Sequence, residues 1–308
     1  METSSGETVI RVEHLRKAYG RVVAVDGVSF EVRRGEIFGI VGPNGAGKTT
    51  TVECLTGMRK PDGGSVEVLG LDPERHGSRL RRRVGVQLQQ AALPDRIKVW
   101  EALDLYSSFY ERALDPRKLM EQWGLTEKRN TVFDRLSGGQ KQRLFIALAL
   151  LNDPEVVFLD EITSGLDPQA RRASWDLVRG IRDEGKTVVL VTHFMDEAEQ
   201  LCDRVAIVDG GKVVALDTPG ALIAGLGAEM SVSFTAENGF DPSLLKGLPQ
   251  VSEVRRDGGR ISVRGGGPLL TTVVTALTRQ DFTPPDLRAE QATLEDVFIA
   301  LTGRGIRD

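Results

Sequence analysis

Gly42, Pro43, Asn44, Gly45, Ala46, Gly47, Lys48, Thr49 and Thr50 follow one another in an order that suits a nucleoside triphosphate. Gly42, Gly47, Lys48 and Thr49 fit the pattern G-x-x-x-x-G-K-[ST]. Glycines let the backbone turn tightly, so that successive amide N–H groups face phosphate oxygens. The apolar run Glu36 to Val41 reads as a buried strand before this loop, and Thr49 to Gly57 as a helix after it. A helix starting there adds roughly half a positive charge where the phosphates would sit. Lys48 is placed to reach the β- and γ-phosphates, and the Thr49 hydroxyl to ligate the Mg²⁺ that accompanies them.

A second anion site follows Leu136, at Ser137, Gly138, Gly139 and Gln140. A serine hydroxyl and glycine amides open a long helical pattern, Gln140 to Leu151. The chain already has one phosphate loop, so this second site makes sense when another copy offers its own nucleotide across an interface. The two motifs together point to a dimeric ATPase whose halves close on ATP. Asp167, in the run Ser164 to Asp167, caps the next helix and is placed to touch the partner copy.

The apolar strand Val156 to Leu159 delivers two carboxylates, Asp160 and Glu161, to its C-terminal end, where an α/β sheet puts its chemistry. Asp160 suits a Mg²⁺ held through its water shell, and Glu161 suits the general base that polarises the attacking water. His193 follows a second apolar strand and is placed to donate to a γ-phosphate. Gln89, after Val84 to Leu88, is placed to complete the Mg²⁺ shell, although Gln87 and Gln90 leave that register open by one or two residues. Tyr19 precedes the phosphate loop and offers a ring to stack on adenine.

These groups need a scaffold, and 308 residues suffice for one large domain and a small one. With 40% hydrophobic and 27% charged residues the composition is that of a soluble globular protein. A net charge of −4 supplies no basic field, and no nucleic-acid partner is expected. No apolar run approaches the roughly 18 residues of a spanning helix, so a membrane-spanning part is expected on another chain. The opening segment is acidic and polar, unlike a signal peptide. Cys54 and Cys202, each in an apolar helical pattern, read as buried thiols of a reducing cytoplasm.

Alternation over residues 8 to 34 predicts a strand-and-turn region, with further short strands at Ser65 to Leu69 and Val84 to Leu88. Apolar spacing turns helical from about Val99 to Arg129. Val156 to Leu159 and Thr187 to Val191 are almost wholly apolar, as in a parallel sheet covered on both faces. The arginine run Arg79 to Arg83 reads as a solvated helix face. Beyond Gly225 the pattern becomes β-α-β-β-α-β, which suggests a small ferredoxin-like domain, and a last helix spans Leu294 to Leu301.

Together these residues resemble the nucleotide-binding subunit of ABC transporters, over roughly residues 8 to 220. In the terms of that family, Walker A is Gly42 to Thr50, the signature Leu136 to Gln140, Walker B Val156 to Asp160 and the D-loop Ser164 to Asp167. The Q-loop falls at Gln89, the switch histidine is His193, and Tyr19 is the adenine-stacking aromatic. The resemblance implies a RecA-like P-loop ATPase core in the α/β class, with an antiparallel β-subdomain and a helical subdomain near residues 91 to 155. The implied domains are 8–225 for nucleotide binding and 226–308 for a small α+β unit. The family usually has proline after the two carboxylates, whereas this chain has Ile162, which restores an N–H and frees φ, so an altered loop rigidity is expected. The ending Ala292 to Gly303 is similar to that of type-2 exporter ATPases, the daunorubicin/doxorubicin-resistance group. The implied protein is an ATP- and Mg²⁺-dependent homodimeric motor. It would lie at the cytoplasmic membrane face and drive a separate multi-span permease. A soluble ATPase of translation or DNA repair is the alternative.

Overall fold

The computed structural model describes residues 6–89, 91–226, 230–236, 240–303 and 305; Gln90 lies outside them. The chain forms two units, the first ending at Pro219 and the second beginning at Gly220. It enters through two long strands, β1 (Thr8–Tyr19) and β2 (Val22–Arg33), then β3 (Ile37–Val41), helix α1 (Lys48–Leu55) and β4 (Gly63–Val68). β1 lies between β2 and β4 in an antiparallel three-stranded sheet. The short strands expected over residues 8 to 34 are thus two continuous ones. Register shifts, with His14 at φ 49° and Gly27 at φ 72°, interrupt the alternation without ending the pairing.

A short helix α2 (Gly77–Leu80) and β5 (Val84–Gln87) lead into a helical region of α3 (Val99–Ser107), α4 (Pro116–Gln122) and α5 (Gly138–Leu150). The single helical stretch expected over Val99 to Arg129 is broken. Pro116 can start a helix but not continue one, and the Asp115 carboxylate accepts from the Arg117 amide to cap that new start. Gly124, at φ 63°, ends the segment.

The remaining elements of the first unit are β6 (Val156–Asp160), α6 (Pro168–Asp183), β7 (Thr187–Thr192), α7 (Met195–Leu201), β8 (Arg204–Asp209) and β9 (Lys212–Asp217). Every residue of β3, β6 and β7 is buried, the signature of parallel strands covered on both faces. They sit in a six-stranded sheet of order β5-β6-β7-β3-β8-β9, parallel except for the β8–β9 hairpin. Val41 pairs with Thr192, Asp160 with Val191, and Gln87 with Leu159. Four adjacent parallel strands therefore end level with one another. The loops that leave them carry Gln89, Glu161, His193 and the phosphate-loop glycines. This places chemistry at the carboxyl edge of the sheet. Cys54 and Cys202 are buried free thiols.

The second unit contains α8 (Pro219–Gly225, whose first residue still belongs to the first unit), β10 (Met230–Thr235), α9 (Ser243–Lys246) and β11 (Val251–Asp257). Then come β12 (Arg260–Gly265), α10 (Leu269–Thr278), β13 (Arg288–Gln291) and α11 (Leu294–Thr302). Its sheet is wholly antiparallel, in the order β11-β12-β10-β13, which is the ferredoxin-like arrangement. Val232, Phe234, Ile261 and Val263 from one sheet face pack with Leu245, Val273 and Leu277 from α9 and α10.

Candidate active site

The phosphate loop is shaped by where a side chain cannot go. A Cβ on Gly42 would lie 2.0 Å from the Val208 carbonyl oxygen, and one on Gly47 2.1 Å from that of Ala24. Gly47 also has φ 97° and Gly45 φ 80°, conformations that L side chains rarely adopt. The Ala46 amide donates to the Pro43 carbonyl and closes the turn, while Asn44 and Gly45 are exposed at its tip. No side chain caps the start of α1, in contrast to α5 and α6, so its first-turn amides are open to an anion.

Lys48 is buried at the base of this loop. Its ammonium donates to the carbonyls of Gly42 (2.8 Å) and Pro43 (3.0 Å). Burial pushes its pKa down, while the carboxylates of Glu161 and Asp160 pull it back up. Thr50 follows Thr49 in the first turn of α1. The Thr49 hydroxyl donates to Asp160 Oδ2 at 3.0 Å. Asp160 is 0% exposed, and its other oxygen, Oδ1, has no hydrogen-bond partner. Desolvation lifts its carboxyl from 3.8 to about 6, against the opposing hydrogen bond from Thr49. A buried carboxylate oxygen without a donor is costly. The water shell of a divalent cation would satisfy it, so Thr49 and Asp160 fit Mg²⁺.

Four groups converge on Glu161. Lys48 Nζ lies 3.7 Å and His193 Nδ1 3.1 Å from Oε1. Gln89 Nε2 donates to Oε2 at 2.8 Å, and the Ser164 hydroxyl lies 3.3 Å from the same oxygen. Of the glutamines that left the register open, Gln89 therefore reaches the carboxylate, whereas the Gln87 amide turns back to the Leu88 carbonyl. Glu161 has φ 50°, a strained backbone for a residue with a side chain, and its amide is tied to the Val191 carbonyl. Ile162, in the place where proline was expected, is buried at 1% exposure, so packing anchors the loop that a ring would have stiffened.

Ser137 caps α5: its hydroxyl accepts from the Gln140 amide, and the Gln140 side chain accepts from the Ser137 amide. The serine proton is left to donate outward. Gly138 and Gly139 back onto Leu166 and Ala170, which brings the signature segment against the loop that ends at Asp167. Asp167 caps α6 by accepting from the amides of Gln169 and Ala170. Tyr19 ends β1 with 41% of its surface exposed, and the cationic ends of Arg59 and Lys17 lie 5.1 and 5.9 Å from its ring centre.

A cleft of about 710 Å³ opens beside Gln87 and Leu88, between the β5 end and the helical region. Met58 and Phe109, 52% and 67% exposed, line it together with Tyr106, Tyr110 and Phe145. Arg81 and Arg82 border it, so part of the arginine run faces this cleft, while Arg83 is engaged with Glu155 at 2.6 Å. Phe109, exposed just after α3, is the aromatic residue whose apolar character marks this cleft in the sequence.

The model of the ABC transporter family matches residues 25–164. The chain is 40% identical to Nod factor export ATP-binding protein I of Ralstonia nicotianae, over 97% of this chain and 95% of that protein. It is 36% identical to daunorubicin resistance ATP-binding protein DrrA3 of Streptomyces coeruleorubidus, over 96% of each. A solved dimeric bacterial ABC transporter cassette superposes with a TM-score of 0.60 at 28% identity, covering 68% of this chain and 98% of that one. With its P-loop fold and with relatives matched over nearly their full length, the chain belongs to the ATP-binding subunits of ABC transporters, in the group that includes the Nod factor export and daunorubicin resistance ATPases, and is an ATPase.

Proposed function

We propose that this chain is the motor of an exporter. Two copies enclose two ATP molecules and drive a separate membrane permease from its cytoplasmic face. The observation that carries the chemistry is the convergence of Lys48, Gln89, His193 and Ser164 on Glu161, beside the buried Asp160. The phosphate loop binds the β- and γ-phosphates through its amides and Lys48, and Tyr19 stacks on the adenine. Glu161 takes a proton from the attacking water. His193 contacts Glu161 through Nδ1, and it would donate to the γ-phosphate through Nε2 once that nitrogen carries the ring proton. Thr49, Gln89 and Asp160 would hold the Mg²⁺, which supplies neutralisation of the charge on the phosphate oxygens.

Ser137, Gly138, Gly139 and Gln140 complete the site of the opposite copy, and Asp167 lies at the same interface. ATP then favours the closed dimer because only that state offers both half-sites, which makes closure a population shift. The cleft lined by Met58 and Phe109 is where a cytoplasmic helix of the permease is received. No helix of the described residues is long and apolar enough to cross a membrane, in keeping with a permease on another chain. For the cargo we propose a drug-like or lipid-like molecule; the drug-like reading is supported by the likeness to a daunorubicin resistance ATP-binding protein.

The test is Glu161→Gln. We expect MgATP binding to persist, phosphate release to fall by roughly a hundredfold or more, and a stable dimer to form in size-exclusion chromatography with light scattering. Hydrolysis at the parent rate would remove Glu161 from the role of base.

A further inference from the structure

Tyr19 is the last residue of β1 and pairs with Val22, two residues before the Ala24 carbonyl that closes over Gly47. The end of β1 therefore stands beside the phosphate loop. A ring that is 41% exposed at a strand end gains little orientation from the core. Two cations meet it instead. The Arg59 guanidinium carbon lies 5.1 Å and Lys17 Nζ 5.9 Å from the ring centre, within the range over which an aromatic face attracts a cation.

Both cations are held from one segment, the end of α1 and the turn after it. Gly57, at φ 70°, turns the chain there, and a Cβ on it would lie 2.6 Å from the Pro73 carbonyl oxygen. The turn carries Arg59 back to Glu53. The Arg59 amide donates to the Glu53 carbonyl at 3.0 Å, and its Nε donates to the Glu53 carboxylate at 2.5 Å. Arg59 is thus tied to one residue through both backbone and side chain, so it is ordered before it meets the ring. Lys17 pairs with Asp62 at 2.8 Å, and the other oxygen of Asp62 accepts from the Ala18 amide at 2.8 Å. Helix α1 opens at Lys48 by the phosphate loop and ends at Leu55, roughly 10 Å further on at 1.5 Å per residue. The anchors of the two cations belong to that far end, whereas the phosphate loop lies at the near one.

We infer that Arg59 is a positioning residue for nucleotide binding: anchored on Glu53, it braces the Tyr19 ring so that the side toward the phosphate loop is presented to adenine. The inference rests on the reading of Tyr19 as the ring that stacks on adenine. Arg59 belongs neither to the phosphate loop nor to the groups around Glu161, so its effect is confined to the base of the nucleotide.

The experiment compares two probes, MgATP and magnesium tripolyphosphate, which offers phosphates without a base. Affinity for each, KM, kcat and melting temperature are measured for Arg59→Ala, Arg59→Lys, Tyr19→Ala and the double variant. Arg59→Ala should weaken MgATP binding about two- to fivefold, the range of one cation–π contact. Tripolyphosphate binding should not change, and the loss should fall on KM and not on kcat. Arg59→Lys should recover part of the affinity, because it keeps a cation on a long stem. In a Tyr19→Ala background, Arg59→Ala should cost nothing more, since there is no ring left to brace. Should Arg59→Ala not fold, Arg59→Met keeps the stem and removes the cation, with the same selective loss expected. The inference is overturned by MgATP binding as tight as the parent's or tighter in the variant that folds. It is equally overturned by equal weakening of both probes, or by a loss that persists without the ring. If Tyr19→Ala itself binds MgATP like the parent, the reading of Tyr19 has failed, and the inference falls with it.

Discussion

Asp160→Asn should make the nucleotide-free protein more stable while impairing its function. Asp160 is 0% exposed with Oδ1 unpartnered, and burial is the main reason its carboxyl rises from 3.8 to about 6. The folded chain therefore holds that proton more tightly than the unfolded chain does. The resulting stabilisation is complete below about pH 4 and is lost as pH climbs through about 6. At about 1.4 kcal/mol per pKa unit, the rise amounts to a cost of about 3 kcal/mol at pH 8. Asparagine keeps an oxygen for the Thr49 hydroxyl and removes the charge. We expect the nucleotide-free variant to melt roughly 3–9 °C higher than the parent at pH 8. The difference should fall to about half at pH 5. Saturating MgATP should reverse the order, because the parent gains a cation contact that the variant lacks. Thermal melts at pH 8, 6.5 and 5, with and without MgATP, decide the matter. A variant no more stable than the parent at pH 8, or a difference that ignores pH, would refute the argument that this carboxylate is held in reserve for a cation.

Two further predictions follow from geometry. Gly47→Ala places a Cβ about 2 Å from a backbone oxygen at φ 97°, so fluorescent-ATP binding should weaken by more than roughly tenfold; unchanged binding would mean that the loop tolerates what its geometry forbids. Phe109→Glu puts a charge on the cleft wall, so hydrolysis by the isolated subunit should stay within about twofold of the parent while recovery with co-expressed permease falls; undiminished recovery would place the permease contact elsewhere.

The phosphate loop, the signature segment and the two carboxylates were legible in the sequence because each is a short stretch whose chemistry depends on residue type and spacing. The buried strands were legible for a similar reason, since an unbroken apolar run such as Val156 to Leu159 suits only an element covered on both faces. The helical region was less so. Leu105 and Phe109 continue an apolar spacing yet are 46% and 67% exposed, and Asp115 with Pro116 restarts the helix within that pattern.

Tertiary structure alone decided what these segments do to one another. Gln87 and Gln89 are the same residue type two positions apart. Only the end of β5, level with β6, sends Gln89 to Glu161 and turns Gln87 back on its own backbone. Glu161 and His193 are 32 residues apart in sequence, and they meet because β6 and β7 are neighbours in the sheet. Which residues line the cleft beside β5 was not legible in the sequence, since an exposed aromatic residue such as Phe109 takes its meaning from what surrounds it. Residue types and their spacing therefore determined the chemistry available to this chain. Strand order decided which groups meet, because contact between distant segments is a property of how the sheet is assembled and not of any stretch along the chain.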